Sequence, residues 1–310
     1  MEYYVYKLKF KTPVHIGNGT LSGSEAFIMA DTLFSALCCE SQSPEEIENL
    51  AERARERKLI FSDAMPFIGD EMYIPKPMTE PKNKDDGNSI MKKAYKKLKY
   101  IPISALDTYM SGKIEPLKEN EKFKNFGKFD IRTMSSSLDE EKSKTGDMLP
   151  FSVGIYNFKE NSGLYVIAGF AADDDKNLFD KLLKSVSFAG IGGKRSSGFG
   201  KFSCADEKLP QNISKRINKT DKYFMTLSVS MAKDNELEKA IENSRYSLVK
   251  RSGFIYSPNY ADTMRKKKDF YSFKAGSCFE NAFEGDVFDV SGEGRHKVYR
   301  YAVPMFLEVN

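Results

Sequence analysis

Gly190-Ile191-Gly192-Gly193-Lys194-Arg195-Ser196-Ser197-Gly198-Phe199-Gly200 decides how this chain is read. Five glycines, two adjacent cations and two hydroxyls stand between an amphipathic run and a short apolar one. Upstream, Asp175 is placed to cap a helix carrying Leu178, Phe179, Leu182, Leu183 and Val186 on one face. Downstream, Phe199 to Ser203 reads as a strand. Glycine permits positive φ and lets another backbone come close. Exposed N–H groups beside Lys194, Arg195, Ser196 and Ser197 suit a ligand with several phosphates. An ordinary Gly-rich turn into a strand accounts for the same residues, so the rest of the chain must decide.

Familiar phosphate motifs are excluded. A Walker loop needs Lys followed by Ser or Thr, but Arg195 follows Lys194. A dinucleotide fingerprint needs a third glycine where Arg195 stands, and it opens a helix rather than a strand. Ser197-Gly198-Phe199-Gly200-Lys201-Phe202 partly echoes the aromatic RNA-binding strand of RRM domains.

The 310 residues favour two domains, and 40% hydrophobic residues suffice for real cores. A net charge of +4 excludes a global polycation. Positive charge is local instead: Lys92 to Lys99, Arg265 to Lys268, and Arg295, His296, Lys297 and Arg300. The four cysteines (Cys38, Cys39, Cys204 and Cys278) lack metal-binding spacing, and there are only two histidines, so neither a structural zinc nor another cofactor is called for. Lys7, Lys9 and Lys11 interrupt any signal-peptide core, and no uncharged run reaches membrane-spanning length. A reduced, cytoplasmic location is the expectation.

Residues 2–11 alternate as a half-buried strand, with Tyr4, Tyr6, Leu8 and Phe10 on one face. Asp31 is placed to cap a helix through Cys39, with Leu33, Phe34 and Leu37 inward, and Ser43-Pro44-Glu45-Glu46 is a capping box that opens another. Strands are expected near Leu59–Ser62, Met72–Ile74, Phe151–Phe158 and Leu164–Phe170. Residues 80–99, centred on Asn83 to Asn88, read as mobile, and residues 111–148 as a polar insertion. That insertion is either disordered or a projecting hairpin, a thumb, that orders on a partner. After a polar linker at 206–221, Tyr223–Met231 reads as a strand and Leu237–Ile241 as helix. Further strands are expected at Tyr246–Lys250, Phe270–Phe273, Val287–Val290 and Val298–Val309. This order predicts an α+β fold of two tandem ferredoxin-like βαββαβ units, residues 1–205 and 222–310, with the insertion at about 80–150 inside the first.

Candidate catalytic groups are few. His15, in Thr12-Pro13-Val14-His15-Ile16-Gly17, could act as general base or acid on an RNA 2′-hydroxyl, or be a plain structural histidine. Asp173, Asp174 and Asp175 suit a helix N-terminus better than a metal.

Phe10-Lys11-Thr12-Pro13-Val14-His15-Ile16-Gly17, Asp31-Thr32-Leu33-Phe34-Ser35-Ala36-Leu37 and the Gly190–Gly200 loop together resemble the RAMP superfamily of CRISPR proteins. Ser247-Leu248-Val249-Lys250-Arg251-Ser252-Gly253-Phe254, Lys274-Ala275-Gly276-Ser277 and His296-Lys297-Val298-Tyr299-Arg300-Tyr301 are similar to the fourth subunit of the type III-A (Csm) interference complex. The resemblance implies two ferredoxin-like (RRM-like) domains and a non-catalytic subunit. That subunit caps the crRNA 5′ handle and anchors the large polymerase-domain subunit and the backbone RAMP subunit. Carried over, Gly192, Gly193, Lys194, Arg195, Ser196, Ser197, Gly198 and Phe199 would hold handle phosphates and bases, with His15 and Arg251 beside the same RNA. The stretch 123–150, with Phe129, Ile131 and Arg132, would be a thumb that kinks the guide, although Arg132 is its one arginine. Two alternatives stay open: a metal-independent RAMP endoribonuclease using His15, and a small-molecule or nucleotide-binding protein.

Overall fold

The computed structural model describes residues 1–79, 89–137, 148–220, 223–257 and 259–309. Its centre is β1 (Glu2–Phe10), flanked on both sides by antiparallel partners. Helix α1 (Ala30–Glu40) follows and buries Leu33, Phe34 and Leu37 as its pattern requires, but its N-cap is Met29 rather than Asp31, whose carboxylate in the first turn is paired with Arg251 and Arg300 instead. Helix α2 (Pro44–Arg55) starts as expected: the Ser43 hydroxyl accepts from the Glu46 N–H at 3.2 Å. The Glu46 carboxylate reaches back to the Gln42 N–H at 2.7 Å, completing the satisfaction of the helix's free donors.

Strands β2 (Leu59–Phe61), β3 (Met65–Ile68) and β4 (Glu71–Pro75) come next. Helix α3 (Ser89–Lys97), β5 (Tyr100–Pro102), and the short helices α4 (Leu106–Met110) and α5 (Pro116–Lys122) lead to a long hairpin. The hairpin pairs β6 (Gly127–Ser137) with β7 (Met148–Phe158). The half closes with β8 (Ser162–Phe170), α6 (Asp173–Ala189) and β9 (Phe202–Lys208).

The main sheet runs β5-β4-β3-β8-β1-β9, with β2 also paired to β8. Taking β1, β2/β3, β8 and β9 as first to fourth, this is the 4-1-3-2 order of a βαββαβ unit. Adjacent residues Val5 and Tyr6 point to opposite faces, yet both are buried. Both faces of β1 are therefore covered at that point, and the simple inside–outside alternation expected there is incomplete.

The insertion is neither one disordered stretch nor one hairpin. Residues 89–97 form α3 where mobility was expected, packed on α5. The hairpin within it is β6–β7. The expected loops at residues 80–88, and at 138–147 between its strands, lie outside the described residues. Asp175 does not occupy the cap of α6: Ala172 does, and Asp175 sits in the first turn. There its carboxylate accepts from the Ala172 N–H at 2.9 Å and pairs with Arg53.

After α7 (Gln211–Ser214), the second half contributes β10 (Phe224–Thr226), α8 (Asp234–Ile241), β11 (Leu248–Arg251) and β12 (Phe270–Phe273). It ends with β13 (Cys278–Phe279), β14 (Val287–Asp289), β15 (Tyr299–Tyr301) and β16 (Phe306–Glu308). Its sheet runs β13-β10-β16, and an isolated bridge joins Arg245 to Cys278 beside β13. Where the second helix is expected, the β14–β15 ribbon stands instead. That ribbon leaves its own sheet and packs on α1 and α2 of the first half.

The expected strand at Tyr223–Met231 shortens to three residues. Beyond Thr226 its N–H groups turn to other partners: Leu227 to the Met305 carbonyl at 2.7 Å and Val229 to the Asp63 carboxylate at 2.8 Å. Pro304 lies in the break between β15 and β16, where it has no N–H to give a ladder. The two halves share one continuous apolar core that includes Phe61, Leu227, Tyr301 and Leu307. Phe61 and Tyr301 stack across the joint with centroids 4.3 Å apart. Among the described residues, no helix is long and apolar enough to cross a membrane.

Candidate nucleic-acid interface

Three segments meet at the mouth of the first half: the turn after β1, the Gly-rich loop and the root of the hairpin. Val14 bridges Tyr156 of β7 through hydrogen bonds of 3.0 and 2.8 Å. The Gly-rich loop lies on the same turn: the Gly193 N–H donates to the His15 carbonyl and the Gly200 N–H to the Pro13 carbonyl, both at 2.8 Å.

The glycines have a steric cause. At Gly192, φ is +93°, and a Cβ would lie 2.4 Å from the His15 carbonyl oxygen. At Gly198, φ is +84°, but nothing lies within 4 Å of a Cβ. Gly192→Ala is therefore expected to combine backbone strain with a clash that neither side can relieve, costing about 1–3 kcal/mol and displacing the loop. Gly198→Ala carries strain alone and is expected to cost about 1 kcal/mol. Thermal unfolding of both variants checks this, and equal losses would contradict it.

Past Gly193 the chain makes a left-handed step at Lys194, φ 59°, into a single 3₁₀ turn at Arg195–Ser197. The N–H groups of Lys194, Arg195 and Ser196 have no acceptor among the described residues. They sit beside the exposed Ser196 and Ser197 hydroxyls. Successive free N–H groups flanked by cations suit an anion with several oxygens. The Lys194 ammonium lies 4.6 Å from the Phe151 ring centroid on β7, and the Arg195 guanidinium is 3.5 Å from Glu40 of α1. Both cations are thereby oriented without being fully neutralised.

The structure sorts the residues singled out from sequence. Gly192 to Ser197, with His15 beneath them, come together. His15 is 6% exposed, and its Nδ1–H donates to the Gly154 carbonyl at 2.6 Å. The ring serves as a shelf under the Gly-rich loop, where a Cβ on Gly193 would be 2.6 Å from its Cδ2.

Two placements correct the sequence reading. Phe199 is not on a strand with its face free for a base. It is 3% exposed and packs with Val153 and Ile155 at the hairpin root, and Arg132 lies 5.5 Å over its ring. The apolar turn after Gly198 closes a small core under the thumb. Arg251 does not face the loop either. Its Nε and Nη2 each donate to the Asp31 carboxylate at 2.9 Å, and Nη2 also to the Thr32 hydroxyl at 2.9 Å. Phe129 and Ile131, by contrast, are exposed on β6 as a thumb requires.

Two residues at this site escaped the sequence reading. Gly154 is a lone glycine inside a strand pattern, a signal of close backbone approach; a Cβ there would lie 2.4 Å from the Ser22 carbonyl. Glu40 had no signal, since its meeting with Arg195 is purely tertiary.

Around the buried joint, Asp31 is paired with Arg251 and Arg300, and Lys267 donates to the Ser35 hydroxyl at 3.1 Å. Burial raises the Asp31 carboxyl, but Arg251, Arg300 and Lys267 outweigh it and hold it below the ordinary range. Burial, together with the charge of Arg300, depresses Lys267.

Comparisons with known proteins bear on the same residues. The RAMP superfamily model matches residues 7–203, and the model of the CRISPR Csm4 C-terminal domain matches residues 219–309. The CRISPR system Cms protein Csm4 of Mycobacterium tuberculosis (strain CDC 1551 / Oshkosh) is 35% identical over 293 residues, 94% of this chain and 93% of that one. Its namesake in Streptococcus thermophilus is 32% identical over 319 residues, covering 100% and 99%. Among solved structures, the Csm4 fold of a Csm3-Csm4 subcomplex from the type III-A interference complex is similar, with TM-score 0.63, 19% identity and 99% of each chain covered. A Csm1-Csm4 cassette with pppApA gives TM-score 0.58 at 16% identity, over 99% and 98%. The chain belongs to the Csm4 family of the RAMP superfamily of CRISPR proteins.

Proposed function

We propose that this chain is a non-catalytic, RNA-binding subunit of a type III-A CRISPR effector complex, capping and recognising the 5′ handle of the crRNA. The observation that carries this reading is the run of free N–H groups at Lys194, Arg195 and Ser196, with two oriented cations, beside the root of a projecting hairpin. Backbone donors and cations position phosphates without reading sequence. The β6–β7 hairpin is the thumb in this reading, with Phe129 and Ile131 toward the RNA. The second half is a ferredoxin-like unit whose second helix has been replaced by the β14–β15 ribbon. Relatives of the same fold occur in assemblies named for Csm3 and Csm1. By extension, this chain anchors a backbone subunit and the large subunit in the cytoplasm.

His15 supports a structural rather than a catalytic role. Its Nδ1–H is committed to a backbone carbonyl and its ring is covered, whereas a general base needs an open approach to its proton.

The test uses labelled repeat-derived RNA in EDTA, with the chain alone and with the assembly purified through it. Lys194→Ala/Arg195→Ala is expected to weaken binding and to lower the salt slope by about 1.4, the loss of two single-strand phosphate contacts. No cleavage is expected from wild type or from His15→Ala. Site-specific cleavage that disappears in His15→Ala would establish the endoribonuclease instead. Unchanged affinity and slope in the double variant would remove the phosphate site.

A further inference from the structure

The second half places two exposed aromatic rings beside the Gly-rich loop. Tyr256 is 77% exposed and Phe254 is 56% exposed. The Arg195 guanidinium lies over the Tyr256 ring, 4.8 Å from its centroid, and Lys266 Nζ lies 5.5 Å from that of Phe254. The backbone carrying them is pinned: the Ile255 N–H donates to the Arg265 carbonyl and the Lys267 N–H to the Gly253 carbonyl, both at 2.9 Å. Both rings thus stand outward on a braced segment, each with a cation at its face.

We propose that Tyr256 and Phe254 form a stacking platform for unpaired bases of the same RNA whose phosphates the Gly-rich loop holds. The proposal rests on the RNA-binding reading and extends it from the first half of the chain to the second. Three observations favour RNA over an apolar protein surface. First, Arg195 belongs to both features: its backbone N–H is free in the loop while its side chain covers Tyr256, so phosphate and base sites share one residue. Second, the rings are surrounded by charge, with Arg265, Lys266 and Lys268 all exposed. An apolar partner would have to desolvate those cations. Third, a ring with a cation at one face and its surroundings open to solvent suits stacking, which accepts any base because every base has a π-face. Phe199, the aromatic residue that sequence pointed to, is buried; Tyr256 and Phe254 take the role it cannot.

The probe is single-stranded repeat-derived RNA carrying 2-aminopurine at one position at a time, bound to the preparation that binds unmodified RNA. Stacking should quench the fluorophore at a position next to Tyr256. Tyr256→Ala should relieve that quench and weaken binding about ten-fold, with the salt slope unchanged because no charge is lost. Tyr256→Phe should keep both. Replacing the quenched base by an abasic site should weaken wild type by a similar factor and make Tyr256→Ala silent. Tyr256 is exposed, so its removal does not threaten the fold. If Tyr256→Ala binds within about two-fold of wild type while Lys194→Ala/Arg195→Ala still fails, the platform is wrong and the phosphate site stands. If Tyr256→Ala binds RNA normally but no longer co-purifies the other subunits, the rings are a protein interface and the proposal is overturned. If no preparation of wild type binds the RNA, the RNA-binding reading falls and the platform with it.

Discussion

Asp31→Ala is expected to cost about 3–5 kcal/mol of folding stability at neutral pH. Asp31 is 2% exposed, at the start of α1, and is the only carboxylate bonded to Arg251 and Arg300 among the described residues. Arg300 is itself 4% exposed, and its Nε and Nη2 have no partner. Lys267 adds a third cation nearby. Without Asp31, Arg251 and Arg300 lose their bonded counter-charge beside Lys267 in a low-dielectric joint, and a buried unpaired charge is among the costliest defects a fold can carry. Asp31→Asn keeps the shape but removes the charge, so a similar loss is expected. Asp173→Ala, on the exposed first turn of α6, should lose no more than about 1 kcal/mol. Urea unfolding followed by circular dichroism measures this, since the chain has no tryptophan. A loss below about 1 kcal/mol for Asp31→Ala would show that the ion cluster does not hold the halves together.

Asp63→Asn is expected to remove a pH dependence rather than a contact. Burial raises the Asp63 carboxyl to about 7, against two backbone N–H groups, of Val229 and Ala30, that favour its charged form. The folded state therefore binds this proton more tightly than the unfolded chain. The stability contributed is fully present below the unfolded value of about 4 and is lost as pH rises through about 7. The full shift would be worth up to about 4 kcal/mol, reduced because the side chain keeps some solvent contact. An asparagine at 63 retains the accepting oxygen and has no proton to lose. The variant should be the more stable protein at pH 8, with the difference shrinking toward pH 5. Parallel pH–stability curves for the two proteins would contradict this.

Much of the first half was legible in the sequence. The strand at 2–10, the cap of α2, the apolar faces of α1 and α2, and the helix–loop–strand passage at Gly190 each follow from spacing within a few residues. Gly192, Lys194 and Arg195 were legible for the same reason, since glycines and cations in one short loop need no distant partner to be recognised. What was not legible depends on what a residue meets. Phe199 and Tyr256 are both aromatic residues near glycines in basic surroundings, yet the hairpin root covers one and solvent meets the other. Arg251 lies in a basic, Gly-containing stretch and still spends its guanidinium on Asp31, 220 residues away.

The sequence by itself determined β1, α1, α2 and α6, the Gly-rich loop and the family, because local periodicity, caps and motif order are set by neighbours in the chain. Only the tertiary structure decided that the β14–β15 ribbon lies on α1 and α2, and that one core serves both halves. It alone decided how each cation is engaged: Lys194 lies over the Phe151 ring and Arg195 beside Glu40, whereas Arg251 and Arg300 are bonded to the buried Asp31. The physical reason is that a charge is free or committed according to its burial and its nearest counter-charge, and long-range packing sets both.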